Sequence, residues 1–388
     1  MKVLALIEGP NGVCYRYRIE AFAWTLAARG LQLEVMPLGR GTLRRIRQLR
    51  AARHADVVIL QRKLLPLWQL ALLRRAARRL VYDVDDALFQ RNSYSRKGPT
   101  SWLRQASFWA TVYASDAVTA GNQYLKERAA AYVEPERVHL VPTCVDPKRY
   151  PTARHRRAGA TAKLVWIGQQ STLRSLDRAK GQLAAAADRL PGLGLRVICD
   201  AFPELPGVRV LPYRWSAATE AAALAEADIG INWLPDDAWS RGKCGLRVLQ
   251  YMAAGLPVVA NPVGMNCEMV LHGRTGLLAS TPAHWAAAIQ RLAADPALRQ
   301  EMGRAGRRWV EERFSVARWG PEFARLIERV SGQRSAISHQ PSAISYQLSA
   351  ISGQRAAGSG QRSMRDTVVV GGRAGSTGYS SSIGAAEQ

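Results

Sequence analysis

A short basic turn that leads into an apolar helical pattern is the first place in this sequence where residue types and spacing suggest chemistry. Residues 241–245 read Arg-Gly-Lys-Cys-Gly, and apolar residues then recur at helical spacing. A glycine-containing turn at a helix N-terminus exposes backbone N–H groups and the positive end of the helix dipole, which favour a phosphate. Lys243 and Arg247 add two full charges. The turn is therefore a candidate phosphate site, and a solvated basic turn is the alternative.

Three carboxylates stand at the end of another apolar run. Residues 80–86 read Leu-Val-Tyr-Asp-Val-Asp-Asp, which places Asp83, Asp85 and Asp86 at the end of a predicted strand. Asp83-x-Asp85 matches the DxD pattern of metal-dependent GT-A transferases, in which two carboxylates hold a divalent cation on a nucleotide diphosphate. A structural interpretation also stays open, in which the carboxylates cap the next helix.

A glycine loop follows the first predicted strand, residues 2–7. The loop contains Gly9 and Gly12, and Arg16 and Arg18 come directly after it. A strand, a glycine loop and a helix form the first step of a doubly wound sheet, whose ligands bind at the carboxyl ends of the strands. Taken alone, Arg16 and Arg18 are consistent with surface arginines on a first helical turn.

A second glycine turn begins at Gly168, directly after the predicted strand 163–167. Ser171 and Thr172 can offer hydroxyl groups in this turn, and Arg174 is the nearest cation. The turn is a further candidate for contacts with an anionic ligand at the end of a strand.

The stretch 239–268 resembles the donor-site signature of the retaining GT-B glycosyltransferases, particularly those of family 4. That signature has a glutamate, Gly-Phe-Gly, a second glutamate, Ala-Met-Ala, a Gly-x-Pro-Val-Val strand and a glycine turn. The matching segments are Cys244-Gly245-Leu246, Met252-Ala253, Gly255-Leu256-Pro257-Val258-Val259 and Val263-Gly264. Gly242 and Gln250 stand where the family has its two glutamates, which help to hold the donor sugar and the ribose hydroxyls.

The resemblance extends loosely over residues 1–330 and is strongest over 227–320. It implies that the loop with Gly9 and Gly12 faces the donor phosphates and the acceptor across the cleft, which makes Arg16 and Arg18 candidate anion contacts. It also implies that Asp85 and Asp86 occupy the family's His-Asp positions near the reacting sugar, where an aspartate could orient acceptor or sugar hydroxyls. It also implies that Gln169 replaces an arginine that grips the pyrophosphate, and that Lys243 compensates as a phosphate ligand. The implied catalytic residues are Lys243, Arg247 and Asp85, and the implied donor-binding residues are Gly168, Ser171, Thr172, Arg174, Gly242, Gly245 and Gln250.

The elements that must position these residues repeat a strand, turn and helix unit in two halves of the chain. The expected fold is α/β with a GT-B architecture: two doubly wound Rossmann-like domains that face each other across a cleft. The predicted boundaries are 1–150 for an acceptor-side domain, 151–162 for a linker, 163–320 for a donor-binding domain and 321–332 for a helix that crosses back. Residues 333–388, in which Ser-Ala-Ile-Ser starts at 335, 342 and 349, have a low-complexity composition that is typical of disorder.

The chain carries a formal net charge of +24, which favours a polyanionic partner such as a phosphorylated substrate, acidic lipid or nucleic acid. No helix-turn-helix, RNA-binding or zinc pattern is present, so nucleic acid is not expected. Arginine clusters at 44–53 and 74–79 lie on predicted helices. They are consistent with an anionic membrane surface or with solvated helix faces.

The number and spacing of the cysteines and the lengths of the apolar runs indicate where in the cell the protein is expected to lie. The five cysteines are scattered without CxxC spacing, which argues against a disulfide framework and against a zinc site. The N-terminal apolar run is too short for a signal peptide, and no apolar stretch approaches the roughly 20 residues of a membrane span. The expectation is a cytoplasmic protein, either soluble or peripheral on the inner face of the membrane.

Together these features predict an enzyme, a hexosyltransferase-like glycosyltransferase. It would move a sugar from a nucleotide-sugar co-substrate to a glycan, lipid-linked or other cell-envelope acceptor, with retention of anomeric configuration. No metal and no other cofactor are expected, because cationic side chains would offset the charge of the diphosphate. The alternative, which the two missing glutamates favour, is a non-catalytic partner protein that binds a sugar nucleotide or a glycan.

Overall fold

Two parallel six-stranded sheets form the framework of the chain. The computed structural model describes residues 1–10 and 12–332; the predicted tail, 333–388, lies outside the described residues. The strands of the first sheet are β1 (Lys2–Ile7), β2 (Gln32–Pro37), β3 (Val57–Gln61), β4 (Leu80–Val84), β5 (Ala117–Ala120) and β6 (Val138–Leu140). Their spatial order is β2-β1-β3-β4-β5-β6. The helices of this half are α1 (Val13–Arg18), α2 (Ala23–Ala28), α3 (Thr42–Ala51), α4 (Leu67–Ala76), α5 (Trp102–Ala114) and α6 (Gln123–Ala130).

The second sheet repeats this architecture. Its strands are β7 (Lys163–Ile167), β8 (Gly194–Cys199), β9 (Arg209–Arg214), β10 (Ile229–Asn232), β11 (Val258–Ala260) and β12 (Gly276–Leu278), in the order β12-β11-β10-β7-β8-β9. The remaining helices are α7 (Leu173–Arg178), α8 (Lys180–Arg189), α9 (Glu220–Ala225), α10 (Ala238–Arg241), α11 (Leu246–Ala253), α12 (Met265–Met269), α13 (Pro282–Ala294), α14 (Pro296–Arg313) and α15 (Val316–Gly332). The predicted pair of doubly wound parallel sheets is therefore confirmed.

The central strands are buried along their whole length because helices cover both faces of each sheet. Every residue of β3 and β4 is buried, as expected for a parallel strand between two helical layers. Strand order reverses between β1 and β3 in the first sheet and between β7 and β10 in the second. Ligands of open α/β sheets bind at such reversals, beyond the carboxyl ends of the strands, so these two places are where a site is expected.

The last helix begins earlier than the sequence suggests. A proline favours the first turn of a helix, so the predicted start is Pro321, but α15 runs from Val316 and holds Pro321 inside it. Ser315 accounts for the difference, because its Oγ accepts a hydrogen bond from the backbone N–H of Arg318 and caps the first turn. Further along α15, Phe323 stacks on Phe22 at 4.8 Å between ring centroids, so this helix packs against the first sheet's layer.

Candidate active site

Arg247 lies at the strand-order reversal of the second sheet and has no carboxylate partner within the described part of the chain. It sits on the first turn of α11, with its guanidinium carbon 4.6 Å from the ring centroid of Trp166 on β7. Its Nη1 donates to Oδ1 of Asn232, the last residue of β10, at 3.3 Å. Arg247 is partly exposed, and the burial of its guanidinium lowers its pKa. A partly buried cation without a counter-ion is suited to receive an anionic ligand.

Two exposed arginines of α7 extend this positive region. The guanidinium carbon of Arg174 lies 5.8 Å from the ring centroid of Tyr94, which belongs to a loop of the first half. Burial raises the pKa of Tyr94, and Arg247, Arg178 and Arg174 all oppose that rise, whereas Asp237 adds to it. Neither Arg174 nor Arg178 forms an ion pair with any residue in the described ranges. Three arginines and one carboxylate are therefore near enough to Tyr94 to act on the pKa of its hydroxyl group.

The glycine turn after β7 lies beside this region. A Cβ on Gly168 would lie 2.4 Å from Cη2 of Trp166, so glycine is required for the indole to lie under Arg247. Thr172 uses its hydroxyl within the turn, donating to the backbone oxygen of Gln169 at 2.8 Å and accepting from its N–H at 3.1 Å. Ser171 is exposed. Of the predicted residues in this turn, Gly168 and Arg174 thus lie close to Arg247, and the Thr172 hydroxyl is already engaged.

Lys243 occupies a different environment from the one the sequence suggests. Its Nζ lies 2.8 Å from Oδ1 of Asp86 and 4.6 Å from the ring centroid of Trp239. The prediction that the Lys243 ammonium is free to bind a phosphate is therefore corrected. The ammonium is paired with a carboxylate of the first half, because the turn 241–245 lies against the end of β4.

Arg62 joins the same cluster, and sequence reasoning did not select it. Its Nη2 donates to Oδ2 of Asp86 at 2.6 Å, and its Nη1 donates to Oδ1 of Asp85 at 3.2 Å. It directly follows β3, the neighbour of β4, so strand order would have identified it. The formal charges of Arg62, Lys243, Asp85 and Asp86 cancel, whereas the arginines near Tyr94 have no ion-pair partner among the described residues.

Asp85 is held in its ionised form. Burial opposes ionisation of this carboxyl group, but the nearby guanidinium groups of Arg62 and Arg18 outweigh burial and lower its pKa. A carboxylate with a depressed pKa accepts hydrogen bonds at neutral pH and does not supply a proton. Its position at the end of β4, beside the turn that carries Lys243, allows it to accept from a hydroxyl group.

Asp83 and Arg18 are part of the interior. Arg18 Nη2 lies 2.5 Å from Asp83 Oδ1, and each side chain is 1% exposed. Thr119 Oγ1 also donates to Asp83 Oδ1, at 2.7 Å. The predicted role of Arg18 as an anion contact is corrected, because Asp83 already occupies its guanidinium. In the same way Asp83 lies in an internal ion pair, so the pattern Asp83-x-Asp85 does not present two uncommitted carboxylates.

Gln250 and Arg16 meet in a polar cluster between the two halves. Gln250 Nε2 donates to the hydroxyl of Tyr17 at 3.0 Å, and that hydroxyl donates to Oε1 of Glu220 at 3.0 Å. Arg16 forms an ion pair with the same Glu220 oxygen, so its predicted role as an anion contact is also corrected. Tyr150 completes the cluster, 3.0 Å from Tyr17 between the hydroxyl oxygens. Tyr17, Tyr150 and Glu220 had no signal in the sequence, because they are far apart along the chain.

The glycines of the predicted site serve close approach. A Cβ on Gly242 would lie 2.6 Å from both N and Cβ of Ala87, and one on Gly245, where φ is +66°, would lie 2.4 Å from Sδ of Met269. In the first loop, the N–H of Gly12 donates to the oxygen of Gly9 at 3.2 Å. Position 242, where the family has a glutamate, therefore has no room for a side chain.

Comparison with known proteins supports the family suggested by the sequence. A family model described as "Glycosyl transferase-like" matches residues 174–325. The alpha-maltose-1-phosphate synthase of Mycolicibacterium smegmatis is 27% identical over 273 residues, which are 60% of this chain and 67% of that protein. A GDP-mannose-dependent alpha-(1-6)-phosphatidylinositol monomannoside mannosyltransferase of the same organism is 38% identical over 94 residues, 24% of each chain. The chain thus spans two thirds of the first relative and about a quarter of the second.

Comparison with solved structures supports the predicted fold. The structure of HepE from Anabaena, in complex with UDP and glucose, matches 85% of this chain and 100% of that one, with a TM-score of 0.63 and 16% identity. Within the described residues, none of the helices has both the length and the apolar content for crossing a bilayer. The matches favour glycosyl transfer over a non-catalytic binding role. The chain therefore carries a glycosyltransferase-like domain on a GT-B fold, and the resemblance predicted from its sequence is confirmed.

Proposed function

We propose that this chain is a glycosyltransferase that moves a sugar from a nucleotide-sugar donor to a glycan or lipid-linked acceptor, with retention of configuration. The observation that carries the proposal is the uncompensated cation of Arg247 at the strand-order reversal of the second sheet, stacked on Trp166 and held by Asn232. A nucleoside diphosphate is the part of such a donor that needs a cation there.

The chemistry demands stabilisation of a leaving diphosphate as it gains negative charge. Fixed cations in a partly dry site do this without reorganisation during the reaction. Arg247 offers a planar guanidinium fork that fits two phosphate oxygens, and its ring stacking and its bond to Asn232 limit its motion. Arg174 and Arg178 can add to the field from the exposed side. Because these cations have no ion-pair partners within the described residues, binding a diphosphate breaks no existing bridge.

The first half of the chain would hold the acceptor. Asp85 is ionised and lies at the carboxyl end of β4, so it can accept a hydrogen bond from an acceptor or sugar hydroxyl. Asp86 is shared between Arg62 and Lys243, and it ties the two halves together at the same place. We assign Lys243 to this cluster, in which its 33% exposed side chain is paired with Asp86.

No metal or other cofactor is part of the proposal. The argument rests on the donor set: Asp83 is paired with Arg18, and Asp85 and Asp86 are paired with Arg62 and Lys243. Side-chain cations therefore already neutralise the carboxylates that a divalent ion would need. The cationic region around Arg247 would take the place that a metal has on the diphosphate in DxD enzymes.

The test is a panel of nucleotide sugars that differ in base and sugar, offered with glycan and lipid-linked acceptors. We expect release of a nucleoside diphosphate together with a glycosylated product for one donor, and this release should persist in EDTA. Substitution Arg247→Ala should abolish binding of the free nucleoside diphosphate measured by calorimetry. Binding of no nucleoside diphosphate by the unmodified protein would reject the proposal.

A membrane surface is a second proposed partner, and the observation that favours it is an exposed basic and apolar region. Leu43 at the start of α3 is 75% exposed, and Trp68 at the start of α4 is 50% exposed. Both helices begin at the carboxyl edge of the first sheet, where the acceptor would lie, and exposed arginines on them include Arg44, Arg47, Arg50 and Arg75. Apolar side chains beside several arginines suit the interface of an anionic bilayer. The proposed location is thus the cytoplasmic face of the membrane, where a lipid-linked acceptor would be available.

A further inference from the structure

One side chain of the first half of the chain binds two carbonyls of the turn 241–245. Asn122 follows β5 and is 2% exposed. One N–H of its amide group donates to the backbone oxygen of Arg241 at 3.1 Å, and the other donates to that of Lys243 at 3.2 Å. Its Oδ1 accepts from the backbone N–H of Leu125 at 2.8 Å and caps α6. The cap fixes which way the amide points, so both of its N–H groups face the turn.

The contact is tight because small residues flank it on both sides. A Cβ on Gly121 would lie 2.4 Å from Sγ of Cys244, and one on Gly242 would meet Ala87 at 2.6 Å. The thiol of Cys244 donates to the backbone oxygen of Asp85 at 3.2 Å. The turn is therefore packed directly on the ends of β4 and β5, and the Asn122 amide is the polar group that satisfies two of its carbonyls.

We propose that Asn122 is a positioning residue for sugar transfer: it fixes the turn 241–245 on the first half of the chain, and so sets the relation between Arg247 and Asp85. The expected effect on catalysis rests on the proposed function, whereas the effect of Asn122 on the turn does not. Arg247 opens the helix that begins directly after the turn, whereas Asp85 lies on the segment against which the turn packs. A shift of the turn would thus move the cation that binds the leaving group relative to the carboxylate that faces the acceptor.

Helix capping and turn positioning can be separated at this residue. Asn122→Asp keeps an oxygen that can cap α6 but removes both N–H donors, and Asn122→Ser keeps a capping hydroxyl without adding a charge; aspartate and serine are N-caps of similar strength to asparagine. A matched control is Asp295→Ala, which removes a cap of the same kind, the bond from the N–H of Leu298 at 2.9 Å, on a helix remote from the turn.

The experiment measures kcat/KM, the melting temperature and hydrogen exchange of the amides of Gly242 and Lys243 in the full-length protein. For Asn122→Asp and Asn122→Ser we expect a fall in kcat/KM of about tenfold or more, the scale of two lost hydrogen bonds, and exchange faster by a similar factor. The lost hydrogen bonds should lower the melting temperatures of these variants by a few degrees, and both variants should stay folded at the assay temperature. Asp295→Ala should lower the melting temperature and leave kcat/KM and the exchange of these two amides unchanged.

Unmodified kcat/KM and unmodified exchange in both Asn122 variants would overturn the proposal. So would a loss of transfer that merely follows a loss of melting temperature, because Asn122 would then act as a cap alone. If the unmodified protein transfers no sugar from any donor, the exchange measurement decides by itself. Faster exchange would then support the positioning role while the proposed function fails, and unchanged exchange would reject the positioning role.

Discussion

Nζ of Lys243 lies 2.8 Å from Oδ1 of Asp86, although the two residues are 157 positions apart in the chain. The Asp86 side chain is 3% exposed and also accepts a hydrogen bond from Arg62. This carboxylate therefore joins two cations from different parts of the molecule. The bridge couples the turn 241–245 of the second half of the chain to the strand ends of the first half.

The first prediction concerns this bridge. In a double-mutant cycle of Lys243→Ala and Asp86→Asn, followed by urea unfolding, we expect a coupling free energy of about 1 kcal/mol, the upper range for partly exposed pairs. Lys243→Ala alone should leave a folded protein, because Arg62 still neutralises Asp86. If the two single effects simply add up in the double variant, the bridge contributes nothing to stability.

The second prediction concerns the leaving-group cation. Arg247→Ala should lower kcat/KM by roughly 10²–10³, the scale of removing one group that stabilises a developing anion. Arg247→Lys should restore only part of it, since a compact ammonium does not reproduce a planar fork. Arg304→Ala is the control, because Arg304 is exposed on α14 and has no place in the site. Equal activity in the Arg247→Ala and Arg304→Ala variants would mean that the diphosphate binds elsewhere.

The third prediction concerns position 242. Since a Cβ there would lie 2.6 Å from backbone and side-chain atoms of Ala87, Gly242→Ala should cost about 1–3 kcal/mol in the free energy of unfolding and lower transfer. Gly242→Glu should not restore the family's carboxylate function. Gly181→Ala serves as control: Gly181 lies in α8 with open space around it, so alanine should stabilise the helix by about 0.5–1 kcal/mol. Gly242→Ala with unchanged stability and transfer would contradict the close packing.

The fourth prediction concerns pH. Burial lowers the pKa of His155, although the contact of its Nε2 with the backbone oxygen of Gly255 at 2.9 Å acts in the opposite direction. The unfolded chain therefore binds the proton first as pH falls, so the stability that depends on neutral His155 is present above about pH 6.5 and is lost below it. His155→Gln should flatten the decline of unfolding free energy between pH 7 and pH 5. His284→Gln, a substitution of an exposed histidine, should not change this slope; an equal slope in all three proteins would contradict the assignment.

The fifth prediction concerns lipid. Binding to vesicles that contain anionic phospholipid should weaken steeply with added salt, because exposed arginine clusters are screened over about 8–10 Å at moderate ionic strength. Trp68→Ser should reduce binding further at every salt concentration, and Trp24→Ser should not, since the exposed Trp24 lies on a different helix. Equal binding to neutral and anionic vesicles would remove the electrostatic part of this proposal.

Much of the fold follows from local pattern. The runs 56–60 and 80–84 predict buried strands, and the glycine turns after the strands 2–7 and 163–167 predict strand-to-helix connections, because periodicity and turn chemistry act over a few residues. The placement of Arg247 on the first turn of a helix was predictable for the same reason. The start of α15 was not, because a serine cap at Ser315 outweighs the preference of Pro321 for a first turn.

The sequence by itself determined the two parallel sheets, the glycine turns at their carboxyl ends and the basic residues in those turns, since all of these depend on neighbours in the chain. Only the tertiary structure decided which charges remain available. Lys243 is paired with Asp86, Arg18 with Asp83 and Arg16 with Glu220, whereas Arg247 has no such partner among the described residues. Ion pairing depends on distances of a few ångströms between side chains that lie far apart in the chain, and the packing of the two halves against each other sets those distances.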